Sequence, residues 1–135
     1  MDSLALVTSH EVSRFGIETV IVMPGPFPEG TDHFPKAGRA ADTAVAEAYR
    51  ALDPLVDRNE EATASLFAPG TTAAPVVVAE EITRILGLPY GERPFRAVVD
   101  LTDSGVDQAI AVVTEAREDF VRRMGFGQVL ELRRT

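Results

Sequence analysis

Apolar residues along this chain recur at two periods, and the alternation between the two sketches a fold. Residues 2–15 place Leu4, Val7 and either Glu11 or Val12 at helical spacing, with Phe15 near the end. Gly16 then stands where a left-handed cap is wanted, so the pattern predicts a helix that stops there. Ile17 to Met23 is nearly continuous in apolar, β-branched residues. That suits a parallel strand buried on both faces, and Pro24-Gly25 ends it.

Pro26 and Pro28 keep the next residues extended or turned, and 26–39 is expected to be loop. Residues 40–56 read as a helix until Pro54 disturbs it, and a short helical piece is expected from Asn59 to Phe67. Pro75 opens a helix over 75–86 whose stripe is Val78, Ile82, Ile85 and Leu86, and Gly87 closes it. Phe95 to Leu101 is a second strand. Residues 103–124 form the last helix, with Val106, Ile110, Val113, Phe120 and Met124 apolar, with Glu115, Asp119, Arg122 and Arg123 on the wet side, and with Gly125 as its cap.

The order helix, strand, insertion, helix, strand, helix predicts an α/β fold with a parallel sheet in a single domain over 1–135. The strand count conflicts with the strand character. Strands buried on both faces also expect neighbours on both edges, and two strands do not supply them. The first helix begins almost at residue 1 and reads like a helix cut in the middle.

Composition narrows the function classes. At 45% hydrophobic and 25% charged residues, the chain has the means to fold and is not disordered throughout. A compact chain of 135 residues buries roughly two-thirds of its unfolded surface. The net charge of −8 repels nucleic acid and anionic membranes, and the basic residues, Arg133 and Arg134 included, form no large cluster. No cysteine is present, so disulfides, thiolate catalysis and zinc–thiolate sites are excluded. No apolar run reaches the ~18 residues of a membrane span, and the polar, non-basic start is not a signal peptide. A cytoplasmic protein with no membrane and no nucleic-acid partner is the expectation.

Single residues point to little chemistry. Asp32-His33 are adjacent and diverge, and one further histidine, His10, does not complete a metal site. Asp53, Asp57, Glu60 and Glu61 lack calcium-loop spacing and read as a solvated face. Ser9-His10-Glu11 fan out around a helix and make no triad. Tyr49 reads as packing and Tyr90 as a loop anchor. No catalytic residue and no metal ligand is assigned.

One stretch carries a resemblance. Phe15-Gly16-Ile17 through Val20-Ile21-Val22-Met23-Pro24-Gly25 is similar to the late helix, sixth strand and Pro-Gly turn of the short-chain dehydrogenase/reductase family. Ser3 to Arg14 resembles the end of the helix that carries that family's Tyr-x-x-x-Lys pair, and Pro94 to Arg123 resembles its seventh strand and terminal helix. The resemblance runs through the chain in the right order. It implies a partial Rossmann-type fold: the last two parallel strands, their flanking helices and a helical substrate lid inserted at about 31–68.

The family moves hydride between NAD or NADP and an alcohol or carbonyl. Its glycine-rich phosphate loop and its Ser, Tyr and Lys have no counterpart here. Tyr49 is followed four residues later by Asp53, and Tyr90 by Pro94. What the resemblance does imply is a wall beside the nicotinamide at Pro24, Gly25, Pro26 and Phe27. The family's usual threonine position falls on Glu29, which leaves Thr31 as the cofactor-contacting candidate. The implied state is the C-terminal half of an oxidoreductase, inactive alone and binding neither NAD nor NADP alone. The alternative is a non-catalytic interaction module that pairs with a separate N-terminal half or with itself.

Overall fold

A computed structural model describes residues 2–38 and 40–133. Two short strands, β1 (Ile21–Pro24) and β2 (Arg96–Val99), lie side by side and parallel, with Ile21 opposite Arg96 and Pro24 opposite Val99. Ile21 N donates to Phe95 O at 2.9 Å and Gly25 N to Val99 O at 2.9 Å. Odd-numbered residues of β1 therefore face β2, and Val20 and Val22 turn their backbone groups to an edge with no strand beside it among the described residues.

The described residues form six α-helices: α1 (Asp2–Val12), α2 (Thr43–Ala48), α3 (Asp53–Asp57), α4 (Asn59–Ala64), α5 (Val76–Leu86) and α6 (Val106–Arg123). The α/β class and the parallel sense of the sheet match the pattern of the sequence. The boundaries need correction. The first strand is Ile21–Pro24 and not Ile17–Met23, because the chain reaches β2 only after Val20. The second is Arg96–Val99 and not Phe95–Leu101.

The helix expected over 40–56 breaks into α2, a 3-10 turn at Arg50–Leu52 and α3. Pro54 sits in the first turn of α3, where its missing N–H is harmless, so it starts a helix instead of ending one. Asp42 caps α2 by accepting from Ala44 N and Val45 N. The last helix starts at Val106, after the left-handed Gly105, and not at 103. Gly16 adopts the expected left-handed conformation at the end of a 3-10 turn, Ser13–Phe15, that extends α1.

Polar ties hold the body together. Arg96, almost wholly buried on β2, donates from Nε and Nη2 to the two Asp2 carboxylate oxygens of α1 at 3.0 and 3.1 Å. Its Nη1 donates to Thr114 Oγ1 of α6 at 2.9 Å, so one guanidinium joins three elements. Arg93 pairs with Glu18 and also donates to Ile85 O and Leu88 O, capping the end of α5. Tyr90 is the expected anchor: its hydroxyl donates to Gly16 O at 2.7 Å. The tail packs on the end of α1, where buried Ser13 donates to Val129 O at 2.9 Å and accepts, through its carbonyl, from Arg133 N. Arg134, the other half of the basic tail pair, lies outside the described residues.

The apolar core is small. Among the described residues only Ala73, Ile85, Ala97 and Val99 are buried hydrophobics, clustered where α5 meets β2. β1 is half-buried, not buried on both faces. Tyr49 is exposed instead of packed, and Val113 and Phe120 of the α6 stripe stand in solvent at 59% and 58% exposure. The accessible surface is 9911 Å². A folded monomer of 14.6 kDa exposes roughly 6,900 Å². The excess of about 3,000 Å² means that the chain buries about half of its unfolded surface, not two-thirds.

Candidate functional site

The Pro24–Phe27 turn leaves the C-terminal end of β1, the end at which open parallel sheets bind ligands. Its geometry is set by β2. Asp100, the residue after β2, lies against Gly25: a Cβ built on Gly25 falls 2.5 Å from Asp100 Oδ1 and 2.7 Å from its Cγ. A side chain at residue 25 fits only if the Asp100 carboxylate moves, so glycine is favoured here by close approach and not by a turn dihedral. Asp100 is held in turn by Thr102, whose N and Oγ1 donate to Oδ1 at 2.9 and 2.7 Å, and by the Ser104 hydroxyl. Hydrogen bonds from Ser104 and then Thr102 lower the Asp100 pKa below the ordinary aspartate value.

Pro24, Gly25, Pro26 and Phe27 are brought together by this turn. Thr31 is not. It is exposed, its hydroxyl donates to Pro28 O at 3.0 Å, and it belongs to the loop beyond. Glu29, at the position where the resemblance puts a threonine, does a structural job: its N donates to Ala73 O, and its Oε1 accepts from Ala73 N at 2.8 Å. This reciprocal pair closes the neck of the insertion. Beyond it, every described residue from 40 to 62 is exposed.

The residues of this turn and of the cleft beside it do not suit a whole dinucleotide. Pro24 and Pro26 have no N–H, and the Gly25 N–H is spent on Val99 O. The cleft next to it, about 280 Å³ at the start of α6, is lined by Asp100, Asp103 and Asp107. Three carboxylates repel a pyrophosphate, even though a helix N-terminus alone would attract one.

No cluster of three or more His, Asp or Glu suited to a metal ion exists among the described residues. Asp32 pairs with Lys36, and the His33 ring meets the Phe34 ring edge-on at 5.1 Å, so the two adjacent residues do not act together. No described helix is long and apolar enough to cross a membrane.

A second depression was not legible in the sequence. It lies at the opposite, N-terminal end of the strands, between α1, α6 and the 127–132 tail, and has a volume of about 250 Å³. Its walls mix Leu6, Phe95 and Leu130 with His10, Arg96 and Arg117. These residues are spread across 124 positions of the chain, and no local spacing marks them.

No protein-family model matches the chain, and no curated protein matches it.

Proposed function

We propose that the chain is the C-terminal half of a Rossmann-type NAD(P)-dependent short-chain oxidoreductase, supplying the nicotinamide wall and a substrate lid to a reaction centre carried by other residues. The observation that carries this reading is the pairing of β1 and β2. They are adjacent and parallel, and a Pro-Gly turn leaves the first of them against the end of the second. The reading gives each part a role. Pro24, Gly25, Pro26 and Phe27 form the wall. The neck at Glu29 and Ala73 carries the lid, with Thr31 at its start as a residue that reaches the cofactor only on closure. NAD or NADP supplies the hydride chemistry when bound, and an alcohol or carbonyl compound is the substrate.

The isolated chain then has no turnover and no NAD(P) affinity, because it holds no acid/base Tyr-x-x-x-Lys pair and no glycine-rich loop. Purified chain should leave NADH and NADPH absorbance unchanged with a panel of carbonyl substrates. It should also leave their fluorescence unchanged on titration. Turnover by the chain alone overturns the reading.

A second reading is favoured by the unpaired edge of β1 and the excess exposed surface of about 3,000 Å². Here the chain is a non-catalytic module that completes its sheet with a separate N-terminal half or with a second copy. Obligate interfaces bury roughly 2,000–5,000 Å² or more over both partners, about 1,000–2,500 Å² or more on each, so the excess on this one chain corresponds to the largest of them. Light scattering separates the two self-states: a single monomeric species at high concentration removes the second copy.

A further inference from the structure

The depression at the N-terminal end of the strands has an unusual charge balance for so acidic a protein. Arg93 and Arg96 are each neutralised there, by Glu18 and Asp2. Glu118 is paired with Arg122. Arg117, the residue before Glu118 on α6, makes no hydrogen bond or ion pair with any described residue and acts on Asp2 and His10 only at longer range. The depression is therefore left with one uncompensated cation in a chain of net charge −8.

Two more polar groups are unspent. The His10 imidazole and the Thr19 hydroxyl line the same space, and neither has a hydrogen-bond partner among the described residues. Burial, and then the charge of Arg117, push the His10 pKa below its ordinary value, so the ring is neutral at pH 7 and offers an N–H donor. Around these groups the wall is apolar: Leu6, Ile17, Phe95, Val129, Leu130 and Leu132. Apolar walls with a few convergent polar groups are the ordinary make-up of a small-molecule site.

We propose that this depression binds a small carboxylic acid with an apolar body, its carboxylate on Arg117, His10 and Thr19 and its body against Leu6, Phe95 and Leu130. One cation matches one negative charge, and a volume of about 250 Å³ admits a single aromatic ring or a short chain but no nucleotide. The site lies at the end of the sheet away from Pro24 and Gly25. It stands whether or not the oxidoreductase reading does, because no NAD(P) enters the test.

The test uses the chain as it is, benzoate as the probe and benzyl alcohol as its uncharged counterpart, read by amide chemical shifts. Benzoate should produce saturable shifts confined to His10, Ile17–Thr19, Phe95 and the middle of α6. Benzyl alcohol should bind about tenfold more weakly or worse, since a hydrogen bond to a charged group is worth that factor. Arg117→Glu should abolish the benzoate shifts. Arg117 is exposed, so this variant keeps its fold, and an otherwise unchanged spectrum verifies that. Arg117→Lys should retain part of the affinity. The proposal is overturned by shifts scattered over the exposed apolar surface, by equal binding of the alcohol, or by undiminished binding to Arg117→Glu.

Discussion

Asp100 occupies the space in which a side chain at residue 25 would sit, its Oδ1 only 2.5 Å from the position of an added Cβ. The end of β2 thus dictates the residue at the end of β1. Gly25→Ala must displace a carboxylate that Thr102 and Ser104 hold in place. We expect it to cost about 1–3 kcal/mol, the usual range for overpacking. Gly38→Ala, with nothing within 4 Å, should cost close to nothing. Denaturant melts of the two variants check this. Equal midpoints would mean that Asp100 swings away freely.

Arg96 and Asp2 tie α1 to the sheet. Asp2→Ala leaves a nearly buried guanidinium with Thr114 as its remaining partner, and the expected loss is about 1–2 kcal/mol, discounted for the exposure of Asp2. The pH dependence follows in sign. The hydrogen bond from Arg96 lowers the Asp2 pKa from 3.8, so in the folded state Asp2 gives up its proton more readily. Its stabilisation is present above pH 3.8 and is lost as pH falls through the lower folded value. An acid melt of Asp2→Ala should be flatter in that window than that of the parent chain.

His10 moves the other way. Burial and Arg117 hold its pKa below 6.5, so protonation opposes folding and stability declines as pH drops below that value. Arg117→Ala removes the second cause. The imidazole pKa, followed by proton NMR titration, should rise toward 6.5 while remaining below it, because burial persists. No change would show that Arg117 does not act on the ring.

The insertion beyond the Glu29–Ala73 neck should behave as a separate, cleavable unit. Trypsin is expected to cut first at Arg50 or Arg58, both exposed, and to leave the body intact. Glu29→Ala removes the carboxylate that Ala73 N donates to, and it should speed cleavage at these arginines several-fold. First cuts in α6 would contradict the assignment of the body.

The class of the fold was legible because it rests on local patterns. β-branched runs at 17–23 and 95–101 mark strands, and Gly16, Pro75 and Gly125 mark ends of helices in the right places. The exact strand ends were not legible, since Ile17 and Thr19 suit a strand intrinsically and are kept out of the ladder by tertiary geometry. Pro54 misled because proline both breaks and begins helices. The reason for Gly25 lies 75 residues away at Asp100, and the Arg117 depression is assembled from three elements. Neither relationship leaves a trace in sequence spacing.

The central proposal is that this chain is one half of a dinucleotide-binding sheet, and the DNA that precedes codon 1 tests it most directly. Read in the same frame and through a possible frameshift, it should encode a glycine-rich loop after a first strand, followed by a serine and a Tyr-x-x-x-Lys pair just ahead of Met1. Finding them makes the chain part of a reductase whose β1 edge is covered by its own N-terminal half. Unrelated or non-coding sequence there would contradict the account.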